Sequence, residues 1–536
     1  MSWPRPRRIW LVGVLGAVTA AACGQVGTQV RLPPGLDAHP ALLAIPFAEV
    51  KSINPQVSAA APSVESTSIG FESPSAPGTF GPTRWTIDSA TSGQPFPGAS
   101  VEGLLTFRGS PTRSFYGAGP VPQSPVVRWV YPPTGGLCGT SFEGSVGAVW
   151  CGTGWTGQPA IWRGQGRWNG RWVTAFGAYD GAVHVLDADT GQPLLPAFQT
   201  GDLIKGSVTI DPDGYPLLYV GSRDNYLRII ALDRAEPTEL WRLSANDVGP
   251  VLWNDDWDGS PLVLGDLLLE GGENSRFHVI KLNRRIGSDG KVSVAPRMVF
   301  DAAGWDEELL AEVGTNVSIE SSVAVSGSVA YFANSGGLVQ GWDLAAIGAG
   351  VRGAPARTFR FWMGDDTDAT VVVDDEGYLY VAAEYERGTP RADEIGQLAK
   401  LDPRRPDQPL VWSVPLRAGG VPAGIWATPA LHRDLIIVAT HAGEIIGVDR
   451  SNGSPRWRLQ LPGPTWGSPV VVDDVLIQGD CAGVLHGYDV ADTLSPPRPL
   501  WSVTLGGCIE STPAVFGGHI VVGTRSGQVF GLGEAR

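Results

Sequence analysis

From about residue 126 to the C-terminus, the chain writes one pattern repeatedly. A Ser/Thr-Pro-like step leads into an apolar strand and a Gly-containing turn. An alternating strand ending in Asp follows, then a second turn and an aromatic residue. The plainest copies are ATPALHRDLIIVATHAGEIIGVDRSNGSPRW, Ala427 to Trp457, and GSPVVVDDVLIQGDCAGVLHGYDVADTLSPPRPLW, Gly467 to Trp501. Others run Gly206 to Trp241, Gly259 to Phe300, and Ser321 to Leu344 with its aromatic near Trp362; another ends at Trp412, and the first holds Phe176 to Leu194. Such a unit cannot bury its apolar face alone and must stack on its neighbours. The last copy, STPAVFGGHIVVGTRSGQVFGL, stops without an aromatic strand. A ring of sheets must close so that no edge stays open. Val126-Val127-Arg128-Trp129-Val130, ahead of the first copy, has the missing aromatic. The predicted fold is therefore all-β, an eight-bladed β-propeller over residues 126–536 closed by an N-terminal strand. Abundant Gly (71), Pro (44) and Trp (20) suit short strands, tight turns and aromatics packed between layers.

The second turn has a fixed chemistry. It reads Leu186-Asp187-Ala188-Asp189-Thr190-Gly191 in the first copy and Val448-Asp449-Arg450-Ser451-Asn452-Gly453-Ser454-Pro455-Arg456-Trp457 in a later one. This order resembles the repeats of pyrroloquinoline-quinone (PQQ) enzymes and of the propeller lipoprotein that assists outer-membrane barrel assembly. The resemblance implies a quinoprotein-like propeller, an architecture that hosts enzymes and binding platforms alike. Quinoprotein alcohol dehydrogenases hold the quinone in the central funnel, with an adjacent Cys-Cys pair, a Trp floor, and Glu, Asn and Asp ligands to Ca²⁺. This chain has no adjacent cysteines. Trp426 or Trp466 stands for the floor, and Glu320, Asn316 and Asp368 for the ligands, without a residue-by-residue match. A non-catalytic binding or assembly scaffold is thus the primary expectation and a PQQ/Ca²⁺-dependent dehydrogenase the alternative. GxSxG, HExxH and P-loop motifs are absent, and His184, His278 and His486 sit in strand repeats as packed or surface residues.

Residues 1–22 read as a lipoprotein-type signal peptide. Arg5, Arg7 and Arg8 precede the apolar run Ile9 to Val18 and the small residues Ala20-Ala21-Ala22. Cys23 follows as the expected lipidation site, although the motif prefers Leu where Ala20 stands. The expected location is the bacterial cell envelope, reached by export and held by a lipid anchor. Residues 23–100 are rich in Ser, Pro, Ala and Gly and read as a tether, although residues 83–101 also suit a small layer against the body. Residues 101–125 contain Phe107-Arg108-Gly109-Ser110-Pro111-Thr112-Arg113-Ser114-Phe115-Tyr116-Gly117 and read as a segment wrapped across the blades or the axis.

Export makes disulfides reasonable for the four remaining cysteines. The expected pairs are Cys138–Cys151 and Cys481–Cys508, pinning entry loops and second-to-third-strand turns on one face beside the seam, with Cys138–Cys508 the rival. The insert Trp155 to Trp172 is expected to interrupt the first blade as an extended hairpin, or else as a partner-binding loop.

The residue two places before each Ser/Thr step should face the central mouth. In chain order these are Glu143, Lys205, Asp258, Glu320, Asp368, Trp426, Trp466 and Glu510, with Asp255, Asp256, Asp365 and Asp366 nearby. Asp258, Glu320 and Asp368 form the candidate Ca²⁺ set. The same acids beside two Trp faces suit a small cationic ligand or a basic segment of an envelope protein. A net charge of −15 argues against nucleic acid. The molecule is expected to be a monomer.

Overall fold

The structure is a computed structural model and describes residues 86–143, 146–155, 157–351, 354–417 and 423–535. The signal peptide, Cys23 and the tether up to residue 85 fall outside the described residues. Among the described residues, no helix is long and apolar enough to cross a membrane.

The repeat forms eight antiparallel blades, each with its first strand innermost. Blade 1 spans residues 160–199, blade 2 209–244, blade 3 262–303, blade 4 324–362, blade 5 372–414, blade 6 430–460 and blade 7 470–504. Blade 8 takes three strands from residues 514–534 and its outer strand from Pro125–Tyr131. That strand pairs from Pro125 opposite Glu534 to Tyr131 opposite Val529. The segment containing Trp129 therefore closes the ring as its aromatic predicted.

The recurring residues have distinct mechanical roles. The backbone N–H of each step residue donates to the step hydroxyl of the next blade, from Gln158 to Ser207, Ser260, Ser322, Thr370, Thr428, Ser468 and Thr512. The Thr512 N–H then reaches the Gly157 carbonyl at 2.9 Å and completes the belt. The Thr-Gly and Asn-Gly turns seat the aromatic of the preceding blade. Gly191 has φ +70° and a Cβ there would lie 2.7 Å from the Trp129 ring; Gly453, φ +77°, stands 2.8 Å from Trp412 in the same sense. Each indole N–H then bonds a carbonyl of that turn, Trp129 to Ala188 at 2.8 Å and Trp412 to Arg450 at 3.1 Å.

Two expectations of register are corrected. The step of blade 1 is not the one that Glu143 was placed by. The segment Trp155–Trp172 does not interrupt that blade but supplies its first strand, Ala160–Arg163, whose hairpin partner is Trp172–Gly177. Gln158 takes the step position. Cys151 is not part of a blade; it faces Cys138 across a separate two-stranded hairpin, Cys138–Glu143 with Val146–Cys151, and the adjoining Gly152 packs against the second-to-third-strand turns of blades 1 and 8 at Tyr179 and Thr524. Both expected disulfides, Cys138–Cys151 and Cys481–Cys508, are present. His184 and His278 are buried in blades 1 and 3, and His486 is held by Asp480.

The segment before the closing strand fills the axis. Residues 86–100 lie on the face opposite the blade-to-blade connections, with Ile87 bridged to Gly327, Ser92 bonded to the Val373 carbonyl and Ser100 to Pro212. Residues 103–118 then enter the channel and touch the inner strand region of every blade. Gly103 and Leu104 pair with blade 1, and the Leu105 carbonyl accepts from Ile210 of blade 2. Arg113 donates to the Ser260 carbonyl of blade 3 and the Val323 carbonyl of blade 4. The Thr112 carbonyl accepts from Val373 of blade 5, and the Tyr116 hydroxyl from Leu431 of blade 6. Arg108 donates to the carbonyls of Pro429 and Pro469, in blades 6 and 7. Gly117 and Ala118 pair in parallel with blade 8. This plug turns through left-handed backbone at Arg108, Gly109 and Arg113. Both arginines are fully buried. Burial pulls Arg108 down to about 10 and Arg113 to about 9, so both keep their charge at neutral pH while solvated almost wholly by carbonyls and hydroxyls.

Candidate functional site

The mouth face carries the connections entering each blade and the turns between second and third strands. The residues expected there divide into two groups with different chemistry, and one of the eight is not among them. Glu143 ends the first strand of the hairpin, and its side chain is outside the described residues.

The first group is compensated. Lys205 Nζ lies 2.8 Å from Asp258, 3.6 Å from Glu273 and 4.0 Å from Asp256, and Arg223 stands 3.3 Å from Asp256. Asp255 is tied to Asn246 at 2.7 Å. Elsewhere on the ring, Glu510 sits 3.6 Å from Arg525, whose guanidinium packs against the rings of Trp150 and Tyr179. Asp256, Asp258 and Glu273 are close enough to share an ion, but two cations already occupy the neighbourhood.

The second group is acidic and aromatic. Ser335 Oγ bonds both Glu320 and Asp368, at 3.2 Å each. Asp366, Asp368 and Glu384 bring carboxylate oxygens within 4.8 Å of one another. Arg387 approaches Asp366 at 3.4 Å, and Asp365 is consumed by the backbone N–H groups of Arg387 and Gly388. Burial and the surrounding carboxylates hold Glu384 well above the usual carboxylate range. Alongside stand Trp155, Trp426, Trp466 and His441. The Trp426 and Trp466 rings are 5.0 Å apart, and the Trp466 indole donates to His441 Nδ1 at 2.7 Å. A small pocket opens between the groups of this second set, lined by Trp155, Trp426, Glu320, Asp368 and belt hydroxyls, with Phe107 of the plug in its wall.

The expected Ca²⁺ set is thus redistributed. Glu320 and Asp368 come together, but Asp258 belongs to the lysine cluster. Glu384 and Trp155 were missed by sequence reasoning because neither occupies the repeated mouth position. Glu384 lies in a two-residue strand, Glu384–Tyr385, inserted between the second and third strands of blade 5 and paired with Ala423–Gly424.

Burial pushes Glu510 up to about 7 against an unfolded value near 4.5, with Arg525 opposing. The folded state therefore holds this proton more tightly than the unfolded chain. Below pH 4.5 the residue costs nothing. As pH rises through 7 the cost grows to about 3 kcal/mol. Glu510→Gln is expected to raise the urea midpoint at pH 8 and leave it unchanged at pH 4; an equal shift at both values contradicts the assignment.

The ring of eight blades, the Ser/Thr belt and the Asp-x-x-Thr/Asn-Gly turns that seat Trp define the class: an eight-bladed β-propeller whose repeats are similar to PQQ repeats. Within it, residues 394–533 match the family model described as outer membrane protein assembly factor BamB. No curated protein matches the chain. Among solved structures it is similar to the quinohemoprotein alcohol dehydrogenase ADHIIG from Pseudomonas putida HK5, at 11% identity and TM-score 0.56, over 84% of this chain and 83% of that one. It also aligns with BamB from Moraxella catarrhalis, at 13% identity and TM-score 0.35, over 76% and 97% of the two chains. A third match is the computationally designed Ika8 protein, at 11% identity and TM-score 0.45, over 67% and 93%. At these identities the likeness concerns fold alone.

Proposed function

We propose that the protein is an envelope-associated binding module that presents its mouth face to a partner, rather than a quinone-dependent dehydrogenase. The observation that carries this reading is the plug. The space beneath the mouth is occupied by Phe107, Arg108 and Arg113, and the pocket above is too small for a tricyclic quinone. Together with the missing adjacent cysteines, the residues present do not fit that cofactor, and no redox step is assigned to them.

The far face supports the same orientation. The described chain begins there, at residues 86–100. A tether running from Cys23 would join the body on that face and leave the mouth uncovered. The mouth also carries a disulfide-closed hairpin whose outward side shows Phe142, 63% exposed, and Val149, 51% exposed. The family description over residues 394–533 is of an outer membrane protein assembly factor, which suits an envelope-protein partner.

The test is site-specific photo-cross-linking in cells. A photoreactive residue at Phe142 should yield one reproducible envelope-protein adduct. The same probe at Leu494, 72% exposed on the opposite face, should not. Equal labelling from both faces overturns the reading. So does a quinone absorption band with dye-linked alcohol oxidation after addition of PQQ and Ca²⁺.

A further inference from the structure

We propose that a cavity on the face opposite the mouth binds a fatty acid, with the alkyl chain inside and the free carboxylate on Arg167. The site is separate from the mouth and goes beyond the reading given for it. The cavity holds about 450 Å³, within the roughly 300–1,000 Å³ of small-molecule sites. Its deep walls are Trp162, Ile210 and Leu232, all buried residues of blades 1 and 2, and Trp168 and Ile286 overhang it. The repeat alone does not build this space. Blades 6 and 7 join their first two strands through residues 433–434 and 473–474, whereas blade 1 uses residues 164–171, and Trp168 stands in that longer connection. Blade 3 adds a small hairpin between its third and fourth strands, Arg285–Ile286 with Val292–Ser293. Neither addition takes part in the hydroxyl belt or in the closing strand pair. Two departures from the repeat thus converge on one apolar space, and loops added to a rigid scaffold are where binding sites are made.

Charge at the rim selects the ligand. Arg167 borders the cavity with its guanidinium 4.8 Å from the Trp168 ring. It donates to the carbonyls of Arg234 at 2.8 Å and Leu232 at 2.6 Å. These bonds leave further N–H donors of the fork unused among the described residues, and none of its partners there is a carboxylate. Asp233 also borders the cavity, but its carboxylate is held by Arg234 and by the Val292 N–H at 2.7 Å. Arg285, next to Ile286, bonds the uncharged Ser293 Oγ at 3.1 Å. The rim is therefore cationic and the interior is apolar. An alkyl chain gains from leaving water there, and a terminal carboxylate matches the guanidinium with charge-assisted hydrogen bonds. An alcohol of the same length lacks that charge, and an alkylammonium ion has the wrong sign.

Titration calorimetry of the full chain with decanoate tests the assignment. Decanoate should bind, and hexanoate, decanol and decyltrimethylammonium should each bind at least tenfold more weakly. Arg167→Gln should weaken decanoate at least tenfold and leave decanol unchanged, a split that a merely structural role of Arg167 would not produce. Ile286→Glu gives the second arm: the side chain is 41% exposed on its hairpin, so the variant should keep the folded circular-dichroism spectrum while decanoate binding falls at least tenfold. The proposal is overturned if decanoate does not bind at millimolar concentration, if decanol or decyltrimethylammonium binds as tightly, or if either variant binds decanoate like the parent. Flotation with phosphatidylglycerol vesicles tests the rival occupant. Vesicle binding that is lost in Arg167→Gln, in a protein that does not bind decanoate, assigns this face to an anionic membrane and overturns the fatty-acid site. Cross-linking from Phe142 reads the mouth alone and stands or falls separately from all of these results.

Discussion

Replacing Arg113 with methionine is expected to cost about 3–5 kcal/mol of stability, one of the two largest single-residue effects in the molecule. The guanidinium is fully buried and makes four hydrogen bonds. It donates to the Val323 carbonyl at 2.8 Å, the Phe107 carbonyl at 2.8 Å, the Ser260 carbonyl at 3.0 Å and the Thr106 hydroxyl at 3.0 Å. Two of these acceptors belong to blades 3 and 4, and two to the plug. Removing the donors leaves buried acceptors unpaired, at about 1–3 kcal/mol each. Part of that loss is offset because a costly buried cation disappears with them. Lysine cannot substitute, since a single ammonium cannot span the fork of the planar guanidinium. Arg113→Lys should therefore also destabilise, by a smaller amount. Arg498 pairs with Asp489 on the surface with 70% side-chain exposure, and Arg498→Met should change stability by less than about 1 kcal/mol. Urea midpoints of the three variants check the ordering. If Arg113→Met unfolds within 1 kcal/mol of the parent, the plug is a passenger in the channel and does not hold the ring.

The contrast between ring and plug also explains what the sequence could reveal. Blade number and closure were legible because each blade solves the same packing problem with the same residues. Trp129 looked like Trp412, Trp457 and Trp501, and it lies against a Gly-containing turn as Trp412 does. Blade 1 was misread where its step residue departs from the pattern: Gln158 replaces Ser or Thr there, while Ser145 offered a false step thirteen residues earlier. That slip placed Glu143 by a step that belongs to Gln158 and put Cys151 inside a blade rather than in the hairpin beside it. The plug belongs to no repeat. Its contacts run to all eight blades across separations of tens to hundreds of residues, and a local pattern carries no trace of them. Its arginines and aromatics were visible, but their burial was not. The mouth was half legible for the same reason. Repeated positions gave Glu320, Asp368, Trp426 and Trp466, whereas Glu384 arrives on an insertion and Trp155 on the loop leading into the irregular first blade.

Trp129→Ala should be the other large effect, and it separates closure from packing. Trp129 is 7% exposed, rests on Gly191 of blade 1, and bonds the Ala188 carbonyl. Truncating a buried Trp removes about 3–5 kcal/mol. Trp412 supplies the control: it is 9% exposed, rests on Gly453 in the same geometry, and bonds the Arg450 carbonyl. Both substitutions delete comparable packing between adjacent blades. They differ in what else holds those blades together. Blades 5 and 6 are joined by the chain itself, with Trp412 on the outer strand of one and Gly453 in the next. At the seam, the strand Pro125–Tyr131 must stay paired with Val529–Glu534, about four hundred residues away, for the last sheet to have an outer edge. Losing Trp129 weakens the strand that prevents opening, so the unpaired edge of Val529–Glu534 becomes accessible in a local event. Hydrogen exchange reads this directly. In Trp129→Ala, amides of Val529–Glu534 should exchange at least tenfold faster while those of blades 3 to 5 change only with global stability. In Trp412→Ala, the seam amides should follow global stability alone. If both variants give the same exchange pattern, ring closure draws no special strength from Trp129, and the hydroxyl belt together with the plug must carry it instead.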